Sequence, residues 1–327
     1  RYAYHHGYFD GEEREFRGFG MVEQWDTEAF ASLTSSNAFP VGDNIDSASH
    51  VPPVWTKTWF HTGAYIGHDQ ISRQHARDYY GAPKPGEPNY EANLTAYITN
   101  ELLEDTVLPL DLTVKSEREA CRALKGSMLR QEVYALDGTA KEALPYTVAE
   151  QNFAIEQAQP RGHNRHAVFF THARETLTYH YERNPADPRV QHALTLEVDD
   201  YGNVLKEAAI GYGRRQPDMT LPLPVDRGKQ TLNLVTYTEN QVTNSIDDIA
   251  LYPEDYRTPL PAQTNTYELT GYAGTGAAGR FQHGDFVQPD PANARRWIHR
   301  FDSEINYEDQ ATNGRQRRMI EQVRTLY

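Results

Sequence analysis

The stretch that most constrains the fold is His192 to Arg215, HALTLEVDDYGNVLKEAAIGYGRR. Leu194, Leu196 and Val198 alternate with Thr195, Glu197 and Asp199, the period of two that marks a half-buried strand. The alternation stops at Asp200-Tyr201-Gly202-Asn203, where Gly and Asn tolerate positive φ and can reverse the chain at little cost. Val204 and Leu205 then begin a returning strand toward Ile210 and Tyr212. The product is a hairpin.

The plan recurs. Tyr8 to Gly20 reads aromatic, Asp-Gly turn, charged strand, then Gly18-Phe19-Gly20, and the later copy ends Gly211-Tyr212-Gly213. A weaker third copy is Val133 to Gly138, followed by Thr139 to Tyr146. The repeated turns are assigned to Asp10, Gly11, Asp137, Gly138, Asp200, Gly202 and Asn203, all in structural roles. Such repetition, at irregular spacing, predicts a mainly β chain whose antiparallel sheet grows by adding hairpins.

Four regions follow from the pattern. Residues 1–64 read as N-terminal hairpins and loop, with strands Tyr2–Phe9, Arg14–Gln24 and Val54–His61 and a loop composition over 31–56. Residues 65–126 read as a small helix-containing insertion. Its predicted helices are Tyr65–Tyr80, from Ile71, His75 and Tyr79 at four-residue spacing, then Tyr90–Leu103, then Ser116–Gly126 with a Ser cap and terminal Gly. Residues 128–240 read as consecutive strands: Met128–Ala135, Tyr146–Glu156, His166–Thr171, Glu175–Arg183, Val190–Val198, Val204–Tyr212 and Lys229–Glu239. Residues 241–327 mix loops with strands at Thr264–Tyr272 and Phe301–Ile305. Met319, Ile320, Val323 and Leu326 near the end fit a helix and a strand equally well.

The 327 residues can bury a substantial core even at 38% hydrophobic content, because 21 Tyr and 12 Phe supply contact area suited to sheet faces. A net charge of −14 argues against nucleic acid as a partner, since phosphate binding needs a concentrated basic surface. No apolar run approaches the ~20 residues of a membrane-spanning helix. The single cysteine, Cys121, excludes an internal disulfide and reads as a small packed residue. The first residue is Arg1 and strand pattern begins at once, so the chain reads as a segment of something longer.

Motifs for chemistry are sparse. Gly274-Thr275-Gly276-Ala277-Ala278-Gly279 fits GxGxxG, but the helix and downstream acid of a dinucleotide site do not follow, so no cofactor is assigned. His5, His6, His61, His68, His75, His163, His166 and His172 are candidates for metal, yet HExxH and CxxC are absent and no metal site is assigned. GxSxG, SxxK and GKS/GKT are also absent. Paired acids such as Glu12-Glu13, Asp199-Asp200 and Asp247-Asp248 would point to opposite faces of a strand, which suits solvated faces and turn caps better than a facing acid and base. Asn93-Leu94-Thr95 is a formal glycosylation sequon.

The hairpins resemble RHS/YD-repeat proteins. Longer stretches, RYAYHHGYFDGEEREFRGFG from Arg1, TWFHTGA from Thr58, NRHAVFFTHARETLTYHYERNP from Asn164, LTLEVDDYGNVLKEAAIGYGRR from Leu194 and RRMIEQVRTLY from Arg317, are similar to the middle-to-C-terminal region of the B component of bacterial insecticidal toxin complexes. The resemblance implies a non-enzymatic segment of a curved, RHS-like sheet in a secreted assembly. That shell would be completed by the C component, enclose a cytotoxic C-component polypeptide, and dock through the rest of B on the A-component pore. The rival expectation is a secreted β-rich carbohydrate-active or carbohydrate-binding protein whose Trp25, Trp55, Trp59 and Trp297 stack on sugars.

Overall fold

The structure is a computed structural model describing residues 1–26, 52–68 and 70–327, so most of the loop expected over 31–56 lies outside the described residues. Strand accounts for 41% and helix for 12%, which makes the chain mainly β, as the hairpin pattern predicts. The chain divides into two compact units: residues 1–173 with 177–189, and residues 190–327 with 174–176.

In the first unit, strands β1 (Tyr2–Asp10), β2 (Glu15–Trp25), β3 (Val54–Phe60), β4 (Met128–Ala135), β5 (Thr147–Gln159) and β6 (Val168–His180) lie side by side in sequence order. β1 through β5 pair antiparallel, with Met21 opposite Trp59 and Trp59 opposite Arg130. β3 and β4 are direct neighbours although residues 61–127 separate them, so that segment is an excursion that leaves one ladder and returns to it. It carries α1 (Tyr90–Asn100) and α2 (Val114–Arg122). Its Ile71, Tyr79, Leu102, Ala120, Cys121 and Leu124 pack with Trp59, Leu129 and Phe153 of the strands to form the first core. Trp59 is fully buried, with its ring edge-on to Tyr79 at 5.1 Å. Each such aromatic contributes roughly 1.5–3 kcal/mol by leaving water.

The second unit repeats the scheme. β7 (Arg189–Val198), β8 (Val204–Gly211), β9 (Leu234–Val242), β10 (Pro261–Thr270) and β14 (Gln316–Arg324) pair antiparallel in that order, and β13 (Ser303–Ile305) lies parallel to β14. A short α3 (Pro224–Lys229) links β8 to β9. Between β10 and β14 a second excursion holds α4 (His283–Phe286) and the hairpin of β11 (Val287–Asp290) with β12 (Asn293–His299). Its Phe281, Phe286 and Val287 cover Leu194, Leu196, Ile210, Val235, Tyr237 and Leu269.

Several boundaries differ from the sequence expectation, each for a local reason. Among the described residues of 65–80 there is no α-helix, only a 3₁₀ turn at Ala76–Asp78. The Asp105 carboxylate accepts from the Ile71 N–H at 2.8 Å and the Ser72 N–H at 2.6 Å, a side-chain alternative to helical bonding. The Cys121 helix starts earlier than Ser116, because the Thr113 side chain accepts from the Ser116 N–H at 3.2 Å and is the cap. Strands expected at 166–171 and 175–183 are one, β6, and Lys229–Glu239 splits into the end of α3 and the start of β9. Residues 139–146 are turns, with β5 beginning at Thr147. The ambiguous terminal stretch is strand β14, held by its ladder to β10.

Candidate functional site

The predicted turn residues share one device, an aspartate that opens the turn and collects backbone N–H groups. Asp10 Oδ1 accepts from Glu12 at 3.0 Å and Glu13 at 3.1 Å, and its other oxygen lies 2.7 Å from Arg17. Asp137 Oδ1 accepts from the Thr139 N–H at 3.1 Å, while Arg183 binds Asp137 Oδ2 at 2.5 Å. The hydrogen bond from Arg183 holds the Asp137 carboxyl well below the usual carboxylate range. In the third turn the collecting acid is Asp199, whose Oδ1 accepts from Tyr201 at 3.0 Å and Asn203 at 2.8 Å; Asp200 beside it is exposed. Gly138 and Gly202 take positive φ, whereas Gly11 does not. These arrangements bind the turn to itself.

The first hairpin turn also docks onto α2. Arg122 donates to Glu13 at 2.6 Å, Lys125 to Glu15 at 2.8 Å, and Arg118 pairs with Glu12. Arg118 and Arg122 lie one turn apart on α2 and Lys125 three residues further, just past its end, a spacing visible in the sequence that does not by itself join these two regions.

A second polar constellation lies beneath the first excursion. Arg130 and Glu132 sit on one face of β4, and Arg130 pairs in register with Glu150 of β5. The guanidinium donates to Glu132 at 2.7 Å and to Glu150 at 3.0 Å, and stands 4.7 Å above the Tyr79 ring. The Tyr80 N–H and the Tyr134 hydroxyl donate to Glu132, each at 2.7 Å, and the Leu103 N–H donates to Glu150 at 2.8 Å. All four carboxylate oxygens therefore have donors, as burial of charge requires. Burial, then the Glu132 charge, pushes the Tyr134 hydroxyl far above its ordinary value. This is a satisfied joint between sheet and excursion.

The histidines separate by environment. His5 pairs with Glu23 at 2.9 Å, His68 with Glu117 at 3.2 Å and His166 with Glu119 at 3.1 Å. Among the described residues, His6, His75 and Asp78 converge, with one ring nitrogen of each histidine and one Asp78 oxygen all within 4.8 Å. Sequence reading missed this grouping because 72 positions separate His6 from Asp78. Cys121 is buried, and burial pushes its thiol up to about 12.

The glycine run folds on itself: Gly276 N–H donates to the Arg280 carbonyl at 2.9 Å, and a Cβ on Gly274 would meet the Gly279 carbonyl oxygen at 2.3 Å. Asp285 accepts from the Thr275 N–H at 3.2 Å, the Thr275 hydroxyl at 2.7 Å and the Gln282 N–H at 2.9 Å. A carboxylate thus already holds donors that a pyrophosphate would need. Of the tryptophans proposed to stack on sugars, Trp59 is fully buried and Trp55 lies between Trp25 and Tyr134, with Lys57 4.2 Å from its ring.

Among the described residues, two surfaces are open. β1 is the outer strand of the first unit and exposes Tyr2, Tyr4 and Phe9, beside Phe16 and Phe19 of β2. In the second unit β13 covers β14 only at Gln316, Arg317 and Arg318. Among the described residues, no helix is long and apolar enough to cross a membrane.

Comparison with known proteins bears on these surfaces. The family described as insecticide toxin TcdB middle/C-terminal region matches residues 119–252, and the one described as insecticide toxin TcdB middle/N-terminal region matches residues 1–63. Among solved structures, the TcdB2–TccC3 crystal structure is 26% identical, with a TM-score of 0.60 over 82% of this chain. A TcdB2–TccC3–Cdc42 crystal structure is likewise 26% identical, with a TM-score of 0.59 over 82% of this chain. A Tc holotoxin pore of Photorhabdus luminescens is 26% identical, with a TM-score of 0.60 over 86%. In all three the match spans 12% of the other chain's length. No curated protein matches the chain.

Proposed function

Because this chain belongs to the TcdB family of insecticide toxins and covers its middle region, we propose that it is wall material: a non-enzymatic segment of an RHS-type shell. The observation that carries the reading is the match, over 82% of this chain, to a TcdB2–TccC3 complex, in a region whose own sheets are open at their outer strands. An open sheet leaves backbone N–H and C=O groups that another strand can pair with. The exposed aromatics of β1 and β2 add apolar area to such a junction.

On this reading the segment acts with a C component that completes the shell and whose cytotoxic polypeptide is enclosed. It connects to an A-component pore through the rest of the B component, in a secreted, virulence-associated assembly. The Asp-initiated turns are the repeat's structural signature and do no chemistry. Asp10, Gly11, Asp137, Gly138, Asp200, Gly202 and Asn203 position strands only. Alternation along each strand then assigns one side-chain set to the enclosed volume and the other to the outside.

The test is electron microscopy of the full-length B component together with its C component. The expected result is a hollow particle in which these strands form part of the wall. A solid globular core at this position, or failure of the two components to associate, overturns the proposal.

A further inference from the structure

We propose that His6, His75 and Asp78 bind one divalent transition-metal ion of the zinc class. This site goes beyond the wall reading and does not depend on it.

The donor set is two imidazoles and a carboxylate, which suits Zn²⁺, Co²⁺ or Ni²⁺ better than the oxygen-seeking Ca²⁺ and Mg²⁺. One ring nitrogen of each histidine and an Asp78 oxygen lie within 4.8 Å of one another, and His6 Nε2 is 2.8 Å from Asp78 Oδ2. Ligands about 2.0–2.2 Å from a tetrahedral ion stand roughly 3.0–3.5 Å apart, so closure needs shifts of about an ångström. His6 and Asp78 are both exposed, so their side chains can make those shifts and water can complete the coordination.

Three features show that the arrangement is built. His6 sits at φ 56° inside β1, in the left-handed region that costs a non-glycine residue energy. Gly20 lies across the hairpin, and a Cβ there would meet His75 Nε2 at 2.7 Å and the His6 Cβ at 3.1 Å, so a larger residue would displace the His75 ring from where it now stacks. The rings stack at 4.9 Å, and the buried Nε2 of His75 has no hydrogen-bond partner. An ordinary His6–Asp78 ion pair would explain neither the seat at Gly20 nor the orphaned nitrogen. A bound ion would clip the outer strand β1 to the 3₁₀ turn Ala76–Asp78 of the excursion.

The experiment uses the full chain stripped with chelator and titrated with Zn²⁺ by calorimetry and with Co²⁺ by visible absorption. Wild type should bind one equivalent more than His6→Gln or Asp78→Asn, or bind it at least about tenfold more tightly. Its Co²⁺ form should show a d–d band that both variants lose. Gly20→Ala, which keeps all three ligands but displaces the His75 ring, should lose it too. His5→Gln should behave as wild type. His6 and Asp78 are exposed, so their variants should fold, with far-UV circular dichroism as the check. Equal stoichiometry and affinity in wild type, His6→Gln and Asp78→Asn would overturn the proposal.

Discussion

Arg17 Nη2 lies 2.7 Å from Asp10 Oδ2, with side chains only 2% and 6% exposed. Burial alone would raise the Asp10 carboxyl, but the Glu13 N–H, the Arg17 guanidinium and the Glu12 N–H together outweigh it and hold the carboxyl low. Asp10→Ala strands a buried guanidinium and opens the turn, so it should cost about 3–5 kcal/mol in denaturant unfolding. Asp10→Asn keeps an acceptor for the turn and should fall between that variant and wild type.

The clasp between this turn and α2 predicts the opposite outcome. Arg122 and Glu13 are each about a third exposed. Arg122→Ala should therefore cost less than about 1 kcal/mol, and the difference from wild type should shrink in about 1 M salt, where the screening length falls to roughly 3 Å. A cost that stays constant with salt would show that packing of the Arg122 stem, rather than charge, holds the turn.

His299 gives the second unit a pH dependence. Its ring stacks on Tyr237 at 3.8 Å and meets the Tyr272 hydroxyl at 3.1 Å; burial, then Arg317, Lys206 and Arg315, depresses it to about 3. The folded state therefore keeps His299 neutral where the unfolded chain, titrating near 6.5, is protonated. Its contribution is full above about pH 6.5 and is lost progressively toward pH 3, with a slope of at most ~1.4 kcal/mol per pH unit. His299→Gln should flatten the fall in thermal stability between pH 6 and pH 4 relative to wild type. A profile parallel to wild type would mean the ring does not carry it.

Two glycines at similar φ separate strain from crowding. Gly126 has φ +87° and open space around a would-be Cβ, whereas Gly271 at φ +75° would place that Cβ 1.9 Å from the Gly314 carbonyl oxygen. Gly126→Ala should cost roughly 1–2 kcal/mol. Gly271→Ala must in addition push apart the ends of β10 and β14, and should lower the melting temperature by clearly more.

Much of the sheet was legible because alternation is a short-range code. Leu194 and Leu196 are buried as the pattern requires, and β4 and β7 fall within a residue of expectation. Glu197 is the exception. A register shift next to it turns it inward, where it meets Lys206 and, at 3.1 Å, Arg296. Arg130 and Glu132 face the first excursion, which nothing in β4 itself announces. Ile71, His75 and Tyr79 mimic helical spacing although Asp105, more than thirty positions away, captures the backbone donors. The histidine cluster joins strand and excursion across 72 positions, beyond the reach of any local pattern.

β13 shields only the Gln316–Arg318 third of β14. A newcomer laid along that margin finds its seat already notched, since the stretch from Met319 to Arg324 is all the rail left to it. Slippage by two residues would drive it against Ile305, so the seam carries its own alignment key.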